Sequence, residues 1–103
     1  MVLERAEICI REGKIEEFLA VLESQALPLT TRFAGCRSFR ALRGVDDVNS
    51  VMFLVEWESI EAHLASRAEP AHAEFRRIVV PYTSGAKPTV HFEPIGTGPS
   101  MPR

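Results

Sequence analysis

Ser50-Val51-Met52-Phe53-Leu54-Val55-Glu56-Trp57 is an almost continuously apolar, β-prone run, and its reading decides the fold. The turn-rich Gly44-Val45-Asp46-Asp47-Val48-Asn49 precedes it and Ser59, a helix cap, follows, so the run is a single strand. A strand apolar on both sides needs cover on both. Helices can supply one cover, and the other must come from elsewhere.

Working outward towards the amino terminus, Cys36 to Arg43 reads as a second strand behind the Ala34-Gly35 stop. Further back, Ala6, Ile8 and Ile10 alternate with Glu7, Cys9 and Arg11, the period-two pattern of a half-buried strand over Leu3 to Arg11. Gly13 and Lys14 end it. From there Ile15, Phe18, Leu19, Leu22, Ala26 and Leu29 follow helical spacing, with Glu16, Glu17 and Glu23 opposite, and Pro28 loosens the helix end. In the other direction Ser59 opens a short helix on which Ile60, His63 and Leu64 are expected to share a sheet-facing side. Glu69-Pro70 reopens helix, whose stripe is Ala71, Phe75, Ile78, Val79 and Tyr82, and which runs out around Pro81 to Gly85. A last strand from Pro88 to Glu93 alternates Val90 and Phe92, read as buried, with His91, which is then expected at the opposite face or an interface. The domain spans 1–95, and the Gly/Pro/Ser-rich Gly96 to Arg103 reads as a flexible tail.

The order β-α-β-β-α-β is the ferredoxin-like split βαβ arrangement, an α+β fold with both helical elements on one face of a four-stranded antiparallel sheet. The second face is bare. An identical chain packed against it is the simplest cover, which predicts a homodimer.

With 103 residues, 46% of them hydrophobic, the chain holds one core and has no room for a second domain. A net charge of -2 forces no ionic partner. Arg37, Arg40 and Arg43 lie three apart on a strand, so they divide between its faces and form no phosphate-binding stripe; no nucleic-acid partner is expected. The two cysteines, Cys9 and Cys36, have neither disulfide-framework nor metal spacing. No apolar run approaches membrane-spanning length and the opening residues are not those of a signal peptide, so no membrane partner and a cytoplasmic location are expected.

Taken as an ordered set, Phe33-Ala34-Gly35-Cys36, Val55-Glu56-Trp57-Glu58-Ser59, Glu61-Ala62-His63-Leu64 and Pro70-Ala71-His72-Ala73-Glu74-Phe75 resemble the antibiotic biosynthesis monooxygenase family of dimeric α+β barrels. The resemblance runs from about Leu3 to Glu93. It implies the same fold and a dimer, and a range of activities: oxygenases that oxidise phenolic or quinol rings without metal or flavin, haem-degrading enzymes, isomerases of small sugar-derived signals, and proteins of no known activity. The haem-degrading branch is the poorest match. Its tryptophan and histidine would fall where this chain has Ser66 and Arg76, and Ala6 and Glu7 stand where its asparagine would be.

No phosphate loop, GxSxG elbow, HExxH pair or dinucleotide fingerprint occurs, so no cofactor or metal is expected and any catalysis must use side chains and the substrate itself. An electron-rich phenol or hydroquinone suits this, because loss of a proton to a base leaves an anion able to reduce oxygen. His63 and His72 are the candidate bases, the imidazole being matched to proton transfer near neutral pH; bracing the broken helix around Ser66 to Pro70 is an equal alternative for each. Trp57 offers an aromatic wall or a core side chain, Tyr82 a hydroxyl donor or a ring packed on the sheet, and Arg40 and Glu56 a cavity contact or an ion pair at the dimer seam. The leading expectation is a cofactor-independent monooxygenase of a small aromatic, phenolic or quinol ligand, with Trp57, Tyr82 and Arg40 as substrate-binding residues. A non-catalytic dimeric ligand-binding protein and an isomerase of a small carbonyl compound are the alternatives.

Overall fold

A computed structural model of the chain describes residues 1–96 and 98. The expectation of a flexible tail from Gly96 to Arg103 lies largely outside the described residues. The elements run β1 (Val2–Ile10), α1 (Ile15–Val21), β2 (Cys36–Arg43), β3 (Ser50–Trp57), α2 (Ile60–Ser66), α3 (Pro70–Val79), β4 (Thr83–Ala86) and β5 (Val90–Phe92). Sheet order is β2-β3-β1-β4, with β5 also paired to β1, and every pairing is antiparallel.

The apolar run quoted above is β3, the central strand against which β1 and β2 both align. Its odd-numbered residues Val51, Phe53, Val55 and Trp57 are buried beneath the helices with Phe18, Leu22, Phe33, Phe75 and Val79. The other face, left bare among the described residues, carries Leu3 of β1, Leu42 of β2, Met52 and Leu54 of β3, and Val90 and Phe92 of β5, as the register requires. On that face Phe92 is 50% exposed, with the Arg5 guanidinium over its ring.

Three expectations are corrected here. The sheet has five strands, because the fourth position is filled by β4 and β5 in succession, both on the same edge of β1. Lys87-Pro88-Thr89 separates them; proline cannot donate to a ladder, so one strand becomes two. The residues read as the end of the last helix therefore begin β4. Secondly, α2 is turned differently. His63 and Ser66 are its buried residues, whereas Ile60 and Leu64 are 42% and 50% exposed. Leu64 sits about 100° round the helix from His63, so the two cannot both face the sheet squarely. Thirdly, His91 pairs with Glu4, whose side chain lies on the helix-covered face, so His91 is on that face too, while Val90 and Phe92 face the bare side. Alternation identifies which residues share a side, but not which side is the core.

The first helical element also changes character along its length. α1 passes into a π-helical turn at Leu22–Ala26 and a 3₁₀ turn at Leu27–Arg32, within which Pro28 has no N–H to give. The Thr30 and Thr31 hydroxyls bond back to the Leu27 and Pro28 carbonyls, 2.7 and 2.9 Å away, and satisfy acceptors there.

Candidate functional site

Proline at the first turn starts α3, and helical spacing then places His72, Phe75, Arg76 and Val79 on one flank. That flank, with Ile8, Phe53, Val80, Thr83 and Ala86, encloses a cleft of about 330 Å³ between helix and sheet. Its walls are mostly apolar, and His72 and Arg76 are its two ionisable side chains. The His72 ring leans on Phe33, centroids 5.7 Å apart. Burial, reinforced by the neighbouring Arg76 and Arg67 charges, holds His72 below the ordinary imidazole range. At neutral pH it is therefore uncharged and able to take a proton. Arg76, one turn further on, brings a guanidinium to the same wall.

A wider open groove of about 650 Å³ lies at the other end of the sheet, lined by Met1, Val2, Glu58, Ser59, Ile60, Glu61, Glu93 and Pro94. Among the described residues its titratable side chains are carboxylates, and none is an imidazole. The smaller cleft joins an apolar floor to an imidazole.

Behind the cleft wall is a second cluster. Glu4 is buried on β1, and its Oε1 accepts from Trp57 Nε1 at 2.8 Å and lies 3.3 Å from His63 Nε2. His63 is 4% exposed; its ring stacks on Trp57 with centroids 4.9 Å apart, and its Nδ1 is 2.7 Å from His91 Nε2. One proton arrangement suits every neighbour: His63 carries its proton on Nε2, facing the carboxylate, and accepts from His91 Nε2–H at Nδ1. Burial pushes the Glu4 carboxyl up, with the Trp57 hydrogen bond opposing, and pushes His63 down to about 4. Ser66 completes the buried side of α2 by donating to the His63 carbonyl at 2.6 Å.

The sequence of residues 1–78 matches the antibiotic biosynthesis monooxygenase family. The chain belongs to that family. An antibiotic biosynthesis monooxygenase family protein from Bordetella bronchiseptica has a similar structure, with TM-score 0.82 and 24% identity over 91% of this chain and 96% of that one. One from Chloroflexus aurantiacus is similar with TM-score 0.75 and 17% identity over 96% and 98% of the two chains. An uncharacterised NIPSNAP domain protein from Burkholderia xenovorans reaches TM-score 0.73 with 26% identity over 97% and 100%. No curated protein is significantly similar in sequence.

On this antibiotic biosynthesis monooxygenase fold the six residues picked from sequence scatter. His72 lines the cleft. His63 is sealed with Glu4 and His91, both its ring nitrogens occupied. Trp57 is 1% exposed, sandwiched between His63 and Phe33, and belongs to the core rather than to the cleft lining. Tyr82 packs its ring on Phe18 and donates its hydroxyl to Glu17 Oε2 at 2.6 Å, outside the cleft. Arg40 is exposed on the bare face opposite Leu54, and Glu56 sits opposite Ser38 on the same face. Two residues of the clusters went unmarked: Arg76 and Glu4. Glu4 had a sequence signal, since it shares the parity of Ala6, Ile8 and Ile10 and so puts a carboxylate on the buried register.

Proposed function

We propose that this family member is a cofactor-independent monooxygenase acting on a small phenolic, anthrone-type or quinol ring held in the 330 Å³ cleft. The observation that carries the reading is an uncharged imidazole and a guanidinium, one helical turn apart, on the wall of an otherwise apolar cleft. The cleft is at the lower end of the size range of ligand sites, which suits a small ring system. His72 removes the substrate proton, and Arg76 holds the oxyanion that results. The ring anion transfers an electron to dioxygen; the ring radical and superoxide so formed combine at carbon, and the resulting peroxide anion takes the proton back from His72 to become a hydroperoxide. Loss of water leaves a carbonyl, so an anthrone CH₂ and O₂ become C=O and H₂O. The apolar floor keeps bulk water from the anion. His63, the other candidate base, has no free nitrogen in the closed cluster and serves here as a core residue.

The active unit is a homodimer joined through the bare sheet face, where Leu3, Leu42, Met52, Leu54, Val90 and Phe92 form the apolar surface. A patch of this kind on a small domain is better covered than wetted.

The test is oxygen uptake by purified protein with a panel of anthrones and hydroquinones. His72→Ala is expected to lower kcat/KM by about 10²-fold or more, the usual worth of a positioned general base. Uptake no faster than the protein-free rate for every compound, or full activity in His72→Ala, overturns the reading. Binding with no oxygen uptake would leave a ligand carrier instead.

A further inference from the structure

We propose that Trp57 is a redox-active residue, which gives one electron to an organic peroxyl radical in the cleft while its indole proton passes to Glu4 Oε1. The geometry has two parts. The Trp57 N–H points at a carboxylate oxygen 2.8 Å away, so the proton has a base to go to without any movement of the chain. A buried indole N–H needs only an acceptor, which a carbonyl or an amide supplies without the cost of sinking a carboxylate into the core. A buried carboxylate adds basicity, and its proton affinity is raised further by the same burial.

The second part is the way out for the electron. Trp57 lies parallel to Phe33, centroids 6.3 Å apart and planes 6° from coplanar, and Phe33 meets Phe75 at 5.8 Å and His72 at 5.7 Å. Phe75 and His72 both line the cleft, so a short aromatic stack connects the indole with whatever occupies it. On the other side the parallel His63 ring, 4.9 Å from Trp57, encloses the indole and keeps water from the radical.

The step balances. Trp57 N–H, the Glu4 carboxylate and ROO• become the neutral indolyl radical, the Glu4 carboxylic acid and ROO⁻, with one electron leaving the indole and one proton crossing the hydrogen bond. An indole that has lost an electron is far more acidic than a neutral one, and this drives the proton towards Glu4. A ring radical that escapes superoxide adds a further dioxygen to become ROO•, which such a residue quenches; this supply rests on the proposed function, whereas the proton transfer depends on the cluster and not on the identity of the ring substrate.

The chain has one tryptophan and one tyrosine, so a Tyr82→Phe background leaves a single aromatic donor of this kind. Laser-generated ruthenium(III) tris(bipyridine) serves as the oxidant, and transient absorption reads the product. The expected product is the neutral indolyl radical, formed more slowly in D₂O. Glu4→Gln keeps an acceptor for the N–H but removes the base, and is expected to give the radical cation with loss of the isotope effect. A radical cation in the Tyr82→Phe protein, or a neutral radical with unchanged isotope effect in Glu4→Gln, overturns the proposal. Should Glu4→Gln fail to fold, acid titration of the Tyr82→Phe protein decides: the isotope effect must vanish as Glu4 takes up a proton, and its persistence overturns the proposal.

Discussion

Glu4 and His63 pull stability in opposite directions as pH changes. Burial holds His63 at about 4 against 6.5 for the free imidazole, so between those values the unfolded chain binds a proton that the folded chain refuses. Stability from this residue is therefore present above 6.5 and is lost as pH falls towards 4. Glu4, raised in the folded state, has the reverse sign: its contribution is present at low pH and is lost as pH rises through its folded value. Urea denaturation across pH 4 to 6.5 is expected to show a shallower acid loss in His63→Gln than in the unaltered chain; an unchanged slope would mean that His63 is not held neutral. Trp57→Phe leaves Glu4 without its closest donor and is expected to cost about 1–3 kcal/mol by the same measurement. In the cleft, the lowered His72 means that kcat/KM for the proposed oxidation should be flat at neutral pH and fall only on acidification, below the ordinary imidazole range.

At the scale of the elements, the turn before β2 shows how tightly helix and sheet meet. Gly35 has φ +76°, and a Cβ placed on it would lie 2.7 Å from the Ala62 Cβ of α2. Its carbonyl also accepts from Glu58 N at 2.8 Å, tying the start of β2 to the end of β3. Gly35→Ala meets both backbone strain and a clash with a neighbour that has little room to yield, and should destabilise by about 2 kcal/mol or more. Thermal unfolding checks this. The Ser59 hydroxyl, 3.1 Å from Ala62 N, caps the same helix, and Ser59→Ala is expected to cost about 1 kcal/mol. Strand and helix starts of this kind are local chemistry, which is why β2, β3, Ser59 and Pro70 could be read directly from the chain. β4 could not, because Thr83-Ser84-Gly85-Ala86 has neither β-branched density nor alternation and is a strand only where β1 lies beside it.

For the whole molecule, the bare face is the feature with the largest consequence. Leu54 sits near its middle, between Arg40 of β2 and Arg5 of β1. If the proposed dimer forms there, Leu54→Asp should give a single-subunit particle by light scattering at micromolar concentration, with the fold retained in circular dichroism. An unaltered chain that is already monomeric would remove the dimer from the proposal.

Period and punctuation along the chain were enough for the order of the elements other than β4, the central place of β3 and the helix starts, because hydrogen-bonded elements declare themselves over a few residues. Glu4, which went unmarked, carried a signal of that kind as a charge on a buried register, although nothing local points to its partners. Which side of β5 and α2 became the inner one was settled only by assembly: His63 and Ser66 turn inward and Ile60 and Leu64 outward because that rotation pairs His63 with Glu4 and His91. Those residues are separated by 59 and 28 positions in the chain, and no local pattern encodes a meeting at that range. The cleft, too, exists only because α3 and the β4 edge close over Ile8 and Phe53, which brings His72 and Arg76 to one wall.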